Sequence, residues 1–268
     1  YHLHDPELIP IGLKLKKLGK KVVFDSHEDV GKDIISKDWI PYIVIKLVSI
    51  AYNSYEKYAC KKFDYIITAT PYIKDKFLKI NKNSIDINNF PILGELSNDI
   101  LWSEKKDEVC YVGGIAQIRG IKEVVKAMEF TTKVKLNLVG AFSEKAVEEE
   151  TKSYNGWQKV NELGFLDRVG VADVMSNSKA GIVTFHPLPN HIDAQPNKMF
   201  EYMSAGLPII TSNFPLWKEI VEGNNCGICV NPLEPKEIAQ SIEYIITHPK
   251  EAEQMGQNGK KAINKKYN

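Results

Sequence analysis

Short apolar segments alternate with amphipathic segments along the whole of this 268-residue chain, and this alternation constrains its fold more than any other feature. Amphipathic segments of helical period lie at 121–130, 143–154 and 235–247. Strands that are apolar throughout and joined by helices are typical of a parallel sheet covered on both faces. The sequence therefore predicts an α/β protein with parallel sheets. The predicted strands are 21–25, 65–69, 108–112, 135–139, 180–185, 207–211 and 226–230.

The alternation is interrupted once, by turn-rich and charged segments at 88–98 and 103–107. We place a domain boundary there, which gives a partial first domain at 1–95 and a second domain at 96–268. The length of the chain allows two domains at roughly 100–200 residues each. The first domain has too few strands for a complete sheet, and the sequence opens without Met at Tyr1. We therefore expect the natural protein to have an N-terminal part before this chain.

Composition and charge exclude several classes of protein. Hydrophobic residues make up 43% of the chain and charged residues 26%, which is ordinary for a globular protein and not for a disordered one. The net charge of +1 gives no global field that would attract nucleic acid, so no nucleic-acid partner is expected.

One apolar run, at 39–52, has to be compared with a membrane span. It is shorter than the roughly 20 apolar residues that a spanning helix needs, and Lys46 interrupts it. We expect a buried crossover helix. The alternative is a surface helix that touches lipid, with the lysines between 14 and 21 attracted to anionic headgroups.

The four cysteines are sparse and lie among apolar residues, which is typical of reduced thiols in a cytoplasm. Cys226 and Cys229 have the spacing of a zinc or redox pair. A zinc site needs a second pair of ligands, which the sequence does not offer, and a strand rather than a helix follows Cys229. We interpret both as strand thiols, and no metal site is predicted.

Ligands of open α/β sheets bind beyond the carboxyl ends of the strands, and this rule selects the candidate functional residues. The strand at 108–112 ends in Gly113 and Gly114, and the loop after it carries Arg119 and Gly120 into a helix. Glycines let a ligand approach the backbone, while a helix N-terminus and a guanidinium favour phosphate. The alternative is a tight turn with a solvated arginine. The pattern is neither the dinucleotide fingerprint nor a P-loop.

A second candidate is a short helix that begins after Asp193. Pro196 is predicted to be its first residue, followed by Asn197. Lys198 and Glu201 are three residues apart and so share a face. This combination suits a nucleotide diphosphate, with the helix start and Lys198 at the phosphates, Glu201 at the ribose hydroxyls and Asp193 at a sugar. The alternative is an ordinary Lys–Glu pair at the surface.

Two further loops carry weaker signals. His27 follows the strand at 21–25, where it could bind a substrate hydroxyl or shuttle a proton, although a lone histidine at a strand end is more often structural. Phe165 and Leu166 belong to a strand-to-helix loop at 163–168, whose backbone could read a base edge while Phe165 packs against the base. Asp167 in the same loop is predicted to cap a helix.

Several runs, taken in order, resemble one enzyme family. They are His4–Leu8, Phe24–His27, Tyr111–Gly114, Pro196–Pro208, Phe214–Val221 and Cys226–Leu233. The chain resembles the retaining nucleotide-sugar glycosyltransferases of glycosyltransferase family 4, which have the two-domain GT-B fold. The run Lys-x-x-Glu-Tyr-Met-x-x-Gly-x-Pro, from Lys198 to Pro208, is the most specific part of the resemblance.

The resemblance implies two Rossmann-like domains that face each other across a cleft. The C-terminal domain would hold the nucleotide sugar and the N-terminal domain would present the acceptor, with the anomeric configuration retained and usually no bound metal. Arg119 matches a basic phosphate-binding position and Glu201 the second acid of a paired motif that binds ribose. His27 matches a histidine that contacts the donor sugar. Asp193 falls on the first acid of the paired motif.

The same resemblance implies the partners and the setting. The donor would be a nucleotide sugar, most often a UDP-sugar, and no cofactor would be bound permanently. The acceptor would be a saccharide or a lipid-linked saccharide, in bacterial synthesis of capsule, O-antigen or exopolysaccharide. The expected location is the cytoplasm, with peripheral contact to the inner face of the membrane as an option.

This sequence also departs from the family pattern. Gly114 stands where the family often has Arg, so one phosphate contact is absent or moved to Lys198, and Asp193 is a methylene shorter than the usual Glu. Two other functions therefore stay open. One is a non-hydrolysing nucleotide-sugar 2-epimerase, for which His186 and His191 are the extra candidates. The other is a non-catalytic subunit that binds a nucleotide sugar.

Overall fold

The computed structural model describes residues 1–37, 40–96 and 100–268. These residues form two compact units, Tyr1–Asn89 with Leu188–Ala194 and Phe90–Pro187 with Gln195–Asn268. Trp39, in the apolar run, and Ser97 and Asn98, in the connecting segment, lie outside the described residues. The assignment of an acceptor-side domain at 1–95 and a donor-side domain at 96–268 stays a prediction.

The first unit contains, within its described part, a parallel sheet of four strands in the order β1-β2-β3-β4. Its elements are β1 (His2–Leu3), α1 (Ile9–Lys17), β2 (Val23–Ser26), α2 (Val30–Ile35), α3 (Tyr42–Cys60), β3 (Tyr65–Thr68), α4 (Pro71–Leu78) and β4 (Ser84–Asp86). Phe24, Ile66 and Phe77 are buried at its core. Thr70 caps α4 by accepting a hydrogen bond from the Ile73 N–H at 3.3 Å.

The second unit is larger. Its elements are β5 (Glu108–Val112), α5 (Ile121–Glu129), β6 (Lys135–Val139), α6 (Lys145–Lys152), β7 (Val160–Gly164), α7 (Arg168–Asn177), β8 (Ala180–Val183), α8 (Asn197–Ser204), β9 (Ile209–Ser212), α9 (Pro215–Val221), β10 (Gly227–Val230), α10 (Pro235–Thr247) and α11 (Pro249–Lys266). Ile121, Val124 and Met128 of α5 are fully buried in its core.

The strand order of the second unit decides where a ligand can bind. Its described strands form one parallel sheet in the order β10-β9-β8-β5-β6-β7. The chain therefore runs outward from β5 in one direction through β6 and β7, and then returns to β8 on the other side of β5. In such a doubly wound sheet the loops after the two central strands diverge and leave a crevice at their carboxyl ends. The ends of β5 and β8 are that point here.

The predicted α/β class with parallel sheets is confirmed. Each of the seven predicted strands is present within about two residues of its expected bounds, whereas β4 and β7 were not predicted. Both are edge strands: Ile85 of β4 is half-exposed, and β7 carries the polar Asn161 and Glu162. An edge strand that buries little apolar surface lacks the continuous apolar run by which the other strands are recognised.

The helix α3 contradicts the prediction of a buried crossover helix. Its stripe against the first unit includes Ser49 and Glu56, which are 2% and 1% exposed, while Ile43 and Leu47 are 75% and 62% exposed. The Ser49 hydroxyl donates to the Gly31 carbonyl, and Glu56 forms an ion pair with a lysine of α4. The buried face of α3 thus combines these two polar groups with Ile45, Ala59 and Cys60, while a row of apolar side chains faces outward. No helix among the described residues is long and apolar enough to cross a membrane.

The interpretation of Cys226 and Cys229 as strand thiols is confirmed. Both are free, Cys229 lies within β10, and Cys226 immediately precedes it. Burial raises the pKa of Cys226 to about 12 and that of Cys229 to about 11, so both stay protonated and unreactive near neutral pH.

Candidate functional site

The loop between β5 and α5 depends on glycines for its shape. Gly113 follows β5 with φ 113° and Gly120 precedes α5 with φ 77°, both in the left-handed region. A Cβ on Gly120 would lie 1.9 Å from the carbonyl oxygen of Thr184, just after β8. The loop is therefore held tightly against the end of the neighbouring strand, at the crevice that the strand order creates.

The helix α8 is fixed against the same edge of the sheet. Met199, Tyr202 and Met203 are fully buried, and the Tyr202 hydroxyl accepts a hydrogen bond from the Val112 N–H at 2.9 Å. Pro196 was predicted to be the first helical residue, which is wrong by one position. Its backbone is extended with ψ 129°, and α8 begins at Asn197.

Lys198 projects from the first turn of α8 into the crevice. Its Nζ is buried and, within the described part of the chain, has no hydrogen-bond partner. It lies 4.4 Å from the ring centroid of Tyr111 and 5.5 Å from that of Phe185, at the ends of β5 and β8. A Cβ on Gly113 would lie 3.3 Å from Nζ, so the glycine leaves this amine open to a ligand. The alternative of a surface Lys–Glu pair is wrong.

The surroundings of Lys198 act on its charge. Burial and, to a smaller extent, the charge of Arg119 lower its pKa to about 7, although Glu201 opposes both effects. A buried amine without a partner is costly when charged, because no hydrogen bond or counter-charge replaces its lost hydration. An anion placed beside Nζ would supply both.

Arg119 lies beside Lys198, in the loop that Gly113 begins. Its Nη1 donates to the Gly114 carbonyl at 3.3 Å, and its guanidinium lies 5.7 Å from the Phe185 ring centroid. A Cβ on Gly114 would come within 2.7 Å of Nη1. The absence of a side chain at Gly114 therefore leaves space for the Arg119 guanidinium. We call Gly113, Gly114, Arg119, Lys198 and Glu201 the cationic site.

Glu201 supplies the carboxylate of this site. It is oriented by Arg168, which was not predicted from the sequence to be part of the site. Its Oε1 accepts from Nη1 of Arg168 at 2.8 Å, and Arg168 also binds both carboxylate oxygens of Glu95. Oε2 of Glu201 is not used by this pair. A signal for Arg168 exists in the sequence, because a cation in the first turn of a helix opposes the helix dipole and so has a cost that a function would explain.

The loop after β7 reaches the same region through Arg168. Asp167 caps α7 by accepting from the Gly170 N–H at 2.8 Å, as predicted. Phe165, two residues earlier, is 88% exposed, and Leu166 is partly buried. The ion pair between Arg168 and Glu201 thus joins this loop to α8.

The remaining candidates have other surroundings. His27 and Asp193 belong to the first unit, where Asp193 forms an ion pair with Lys32 at 2.5 Å. His186, a candidate for epimerase chemistry, lies in the second unit with its Nε2 3.1 Å from Glu123 Oε2. His191 is buried in the first unit. The roles of His27 and Asp193 toward a sugar stay predictions.

Comparison with known proteins decides the family. Residues 94–262 match the family model of glycosyl transferases group 1. This chain belongs to that family. The matched segment contains every residue of the cationic site. Sugar transfer is the activity for which the glycosyl transferases group 1 family is named.

Individual relatives are distant in sequence. An uncharacterized glycosyltransferase of Methanocaldococcus jannaschii is 23% identical over 271 residues, with 95% of this chain aligned, and the chain spans 66% of that relative's length. Sucrose-phosphate synthase from Thermosynechococcus elongatus has a TM-score of 0.77 at 20% identity, over all of this chain and 69% of that one. Anabaena HepE in complex with UDP has a TM-score of 0.78 at 13% identity, over all of this chain and 74% of that one. These likenesses confirm the GT-B fold.

Proposed function

We propose that this chain forms the donor-binding part of a retaining glycosyltransferase of family 4, which takes a sugar from a nucleotide sugar. The buried amine of Lys198 is the observation that carries the proposal. Among the described residues it has no hydrogen-bond partner, and it lies at the crevice of the doubly wound sheet, beside Arg119 and a glycine turn. Two cations held close together, neither of them in an ion pair with a described carboxylate, favour a ligand with two adjacent negative groups, and a diphosphate is such a ligand.

The rest of the site suits the remainder of a nucleotide. The first N–H groups of α8, from Asn197 onward, and Lys198 would bind the phosphates. Oε2 of Glu201 would accept from ribose hydroxyls while Arg168 holds Oε1. Phe165 and Leu166 would pack against the base. We propose UDP as the nucleotide, because HepE, which shares the fold, was crystallised with UDP and with UDP-glucose.

The reaction follows from this placement. The bond between the anomeric carbon and the diphosphate oxygen breaks, so positive charge grows on the sugar and negative charge on the leaving group. Arg119 and Lys198 would stabilise that negative charge where it develops. The departing phosphate oxygen takes the proton of the acceptor hydroxyl on the same face, the hydroxyl oxygen bonds to the anomeric carbon, and the configuration is retained.

A thermal-shift screen of UDP-, GDP- and ADP-sugars tests the donor. A ligand present at 100 times its Kd should stabilise the chain by about 2.7 kcal/mol, which raises the melting temperature by several degrees. We expect the largest shift with a UDP-sugar and none with Lys198→Met. Equal shifts in wild type and Lys198→Met would contradict binding at the cationic site.

The same donor, incubated without acceptor, separates the other functions. NMR that shows inversion at C2 of the sugar would establish the epimerase, whereas an unchanged donor that is consumed when acceptor saccharides are added supports transfer. Binding without either reaction would identify the non-catalytic subunit. The pairing of His186 with Glu123 gives the epimerase no specific support.

We propose further that α3 rests on an anionic membrane surface, as suits a lipid-linked acceptor in polysaccharide synthesis. Its outward face is apolar, and contiguous apolar surface of this kind marks an interaction site. The exposed charges on α3 and just after it are lysines, and its acid Glu56 is buried in an ion pair with Lys76. The apolar face would contact the lipid chains, and the lysines would pair with the anionic headgroups.

Vesicle co-sedimentation tests this contact. With about one third phosphatidylglycerol in the vesicles, Ile43→Asn with Leu47→Asn should weaken binding at least about a hundredfold, because each buried Ile or Leu contributes roughly 1.5–3 kcal/mol. Leu233→Asn, at an exposed leucine of the second unit, is the matched control and should bind like wild type. Unchanged vesicle binding by the double variant would contradict the proposal. So would a wild type that is a dimer without vesicles while the double variant is a monomer.

A further inference from the structure

The carboxyl ends of β1 and β2 bring three histidines around one carboxylate in the first unit. His2 and His4 flank Leu3, which is 6% exposed, so the two imidazoles lie on the opposite face of β1 from that core residue. Asp25 likewise lies between the buried Phe24 and Ser26 of β2. Because β1 pairs in parallel with β2, these outward-facing side chains come together at one edge.

The distances within this cluster are those of a coordination shell. Oδ2 of Asp25 lies 3.4 Å from His2 Nε2 and 3.3 Å from His4 Nδ1. The candidate ligand atoms of these three residues all lie within 4.8 Å of one another. A tetrahedral ion with ligands at about 2.0–2.2 Å separates its ligand atoms by about 3.3–3.5 Å. One ion could therefore bind all three with small side-chain adjustments.

His27 brings a third imidazole to the same edge. Its Nε2 lies 3.8 Å from the other oxygen of Asp25, and its ring stacks at 6.0 Å on that of His4. Asp25 is mostly buried while the histidines are partly exposed, so the site has a fixed carboxylate and an open approach from solvent.

The kind of ligand atoms selects the kind of ion. Imidazole nitrogens suit zinc, copper and nickel, whereas magnesium and calcium prefer oxygen ligands throughout. We propose that His2, His4 and Asp25 form a site for a divalent transition-metal ion of the zinc class, with His27 as the adjacent fourth side chain. The site belongs to the first unit, and its ligands are distinct from the cationic site.

Zinc titration of the chain without a polyhistidine tag tests the site. Isothermal calorimetry should show one ion per chain with a micromolar Kd, and Co²⁺ should give the visible absorption of a tetrahedral complex. His2→Gln and His4→Gln should each weaken zinc at least about tenfold, since each removes a ligand. Both replace partly exposed side chains, so we expect both variants to fold, which their melting temperatures will verify.

The matched control is His248→Gln, at an exposed histidine of the second unit that lies 3.0 Å from the Tyr244 carbonyl oxygen. It should bind zinc like wild type. Failure of wild type to bind zinc saturably would overturn the proposal. Equal affinity in wild type and His4→Gln, or equal weakening in His248→Gln, would overturn it as well.

Discussion

Replacing either cation of the cationic site, by Arg119→Ala or Lys198→Ala, should lower the rate of sugar transfer by about 10²–10³. Arg119 and Lys198 lie at the loop after β5 and the start of α8, where the leaving diphosphate is proposed to bind. Their charges would stabilise the diphosphate more as it departs than while it is bonded to the sugar. The loss should therefore appear in kcat as well as in kcat/KM. Single-turnover transfer of radiolabelled sugar to an acceptor saccharide measures it.

Two comparisons make this test specific. Arg119→Lys keeps the charge but loses the planar fork, so it should recover only part of the rate. Lys145→Ala removes a highly exposed lysine of the same unit and should leave transfer unchanged. Turnover near that of wild type in both Arg119→Ala and Lys198→Ala would remove the proposed role of the cationic site.

The features that the sequence predicted well are those that one local segment dictates. The turn at Gly113 requires a φ value that favours glycine, and it was recognised from the strand beside it. The three-residue spacing of Lys198 and Glu201 likewise indicated that both lie on one face of α8. They could therefore be assigned to one binding site near the start of a short helix.

The features that the sequence did not predict depend on segments far apart in the chain. Arg168 reaches Glu201 across 33 residues, and its partner Glu95 is 73 residues away. The aromatic rings beside Lys198 come from the ends of two strands that only the sheet order makes neighbours. The burial that lowers the pKa of Lys198 was therefore not predictable from the motif.

The helix α3 shows a different kind of failure. Its composition predicted burial, because an apolar helix of a globular protein usually packs into the core. The structure instead turns Ser49 and Glu56 inward, where Gly31 and Lys76 satisfy them. Periodicity identifies two faces of a helix, but which face packs inward depends on the polar groups that the rest of the unit offers as partners.

Donor binding should depend on pH, because the charge of Lys198 does. The pKa of Lys198 is about 7 in the chain without ligand, and a bound diphosphate should raise it toward the ordinary value of about 10.4. Only the protonated amine pairs with the diphosphate, so the apparent affinity follows the protonated fraction of the free chain. Affinity for UDP should fall about fiftyfold between pH 7 and pH 9, and it should level off below pH 6, where this amine is fully protonated.

Calorimetry measures the same linkage directly. At pH 8 the free amine is mostly neutral and the bound amine is charged, so nearly one proton should be taken up per UDP. Buffers with different ionisation enthalpies report this number. In Lys198→Met the uptake by this group should disappear, together with most of the affinity.

The low pKa of Lys198 also makes the free energy of unfolding depend on pH. The unfolded chain binds more protons at Lys198 than the folded chain between about pH 7 and pH 10, so this residue makes the folded state more stable as pH rises through that range. Near pH 6 the unfolding free energy of Lys198→Met should therefore exceed that of wild type by about 1–4 kcal/mol. This difference should shrink toward pH 10. Two results would contradict this: a Lys198→Met variant that is less stable than wild type at pH 6, or a stability difference that grows with pH. Either result would show that the amine is solvated. The cationic site would then lack the desolvated charge on which donor binding is proposed to depend.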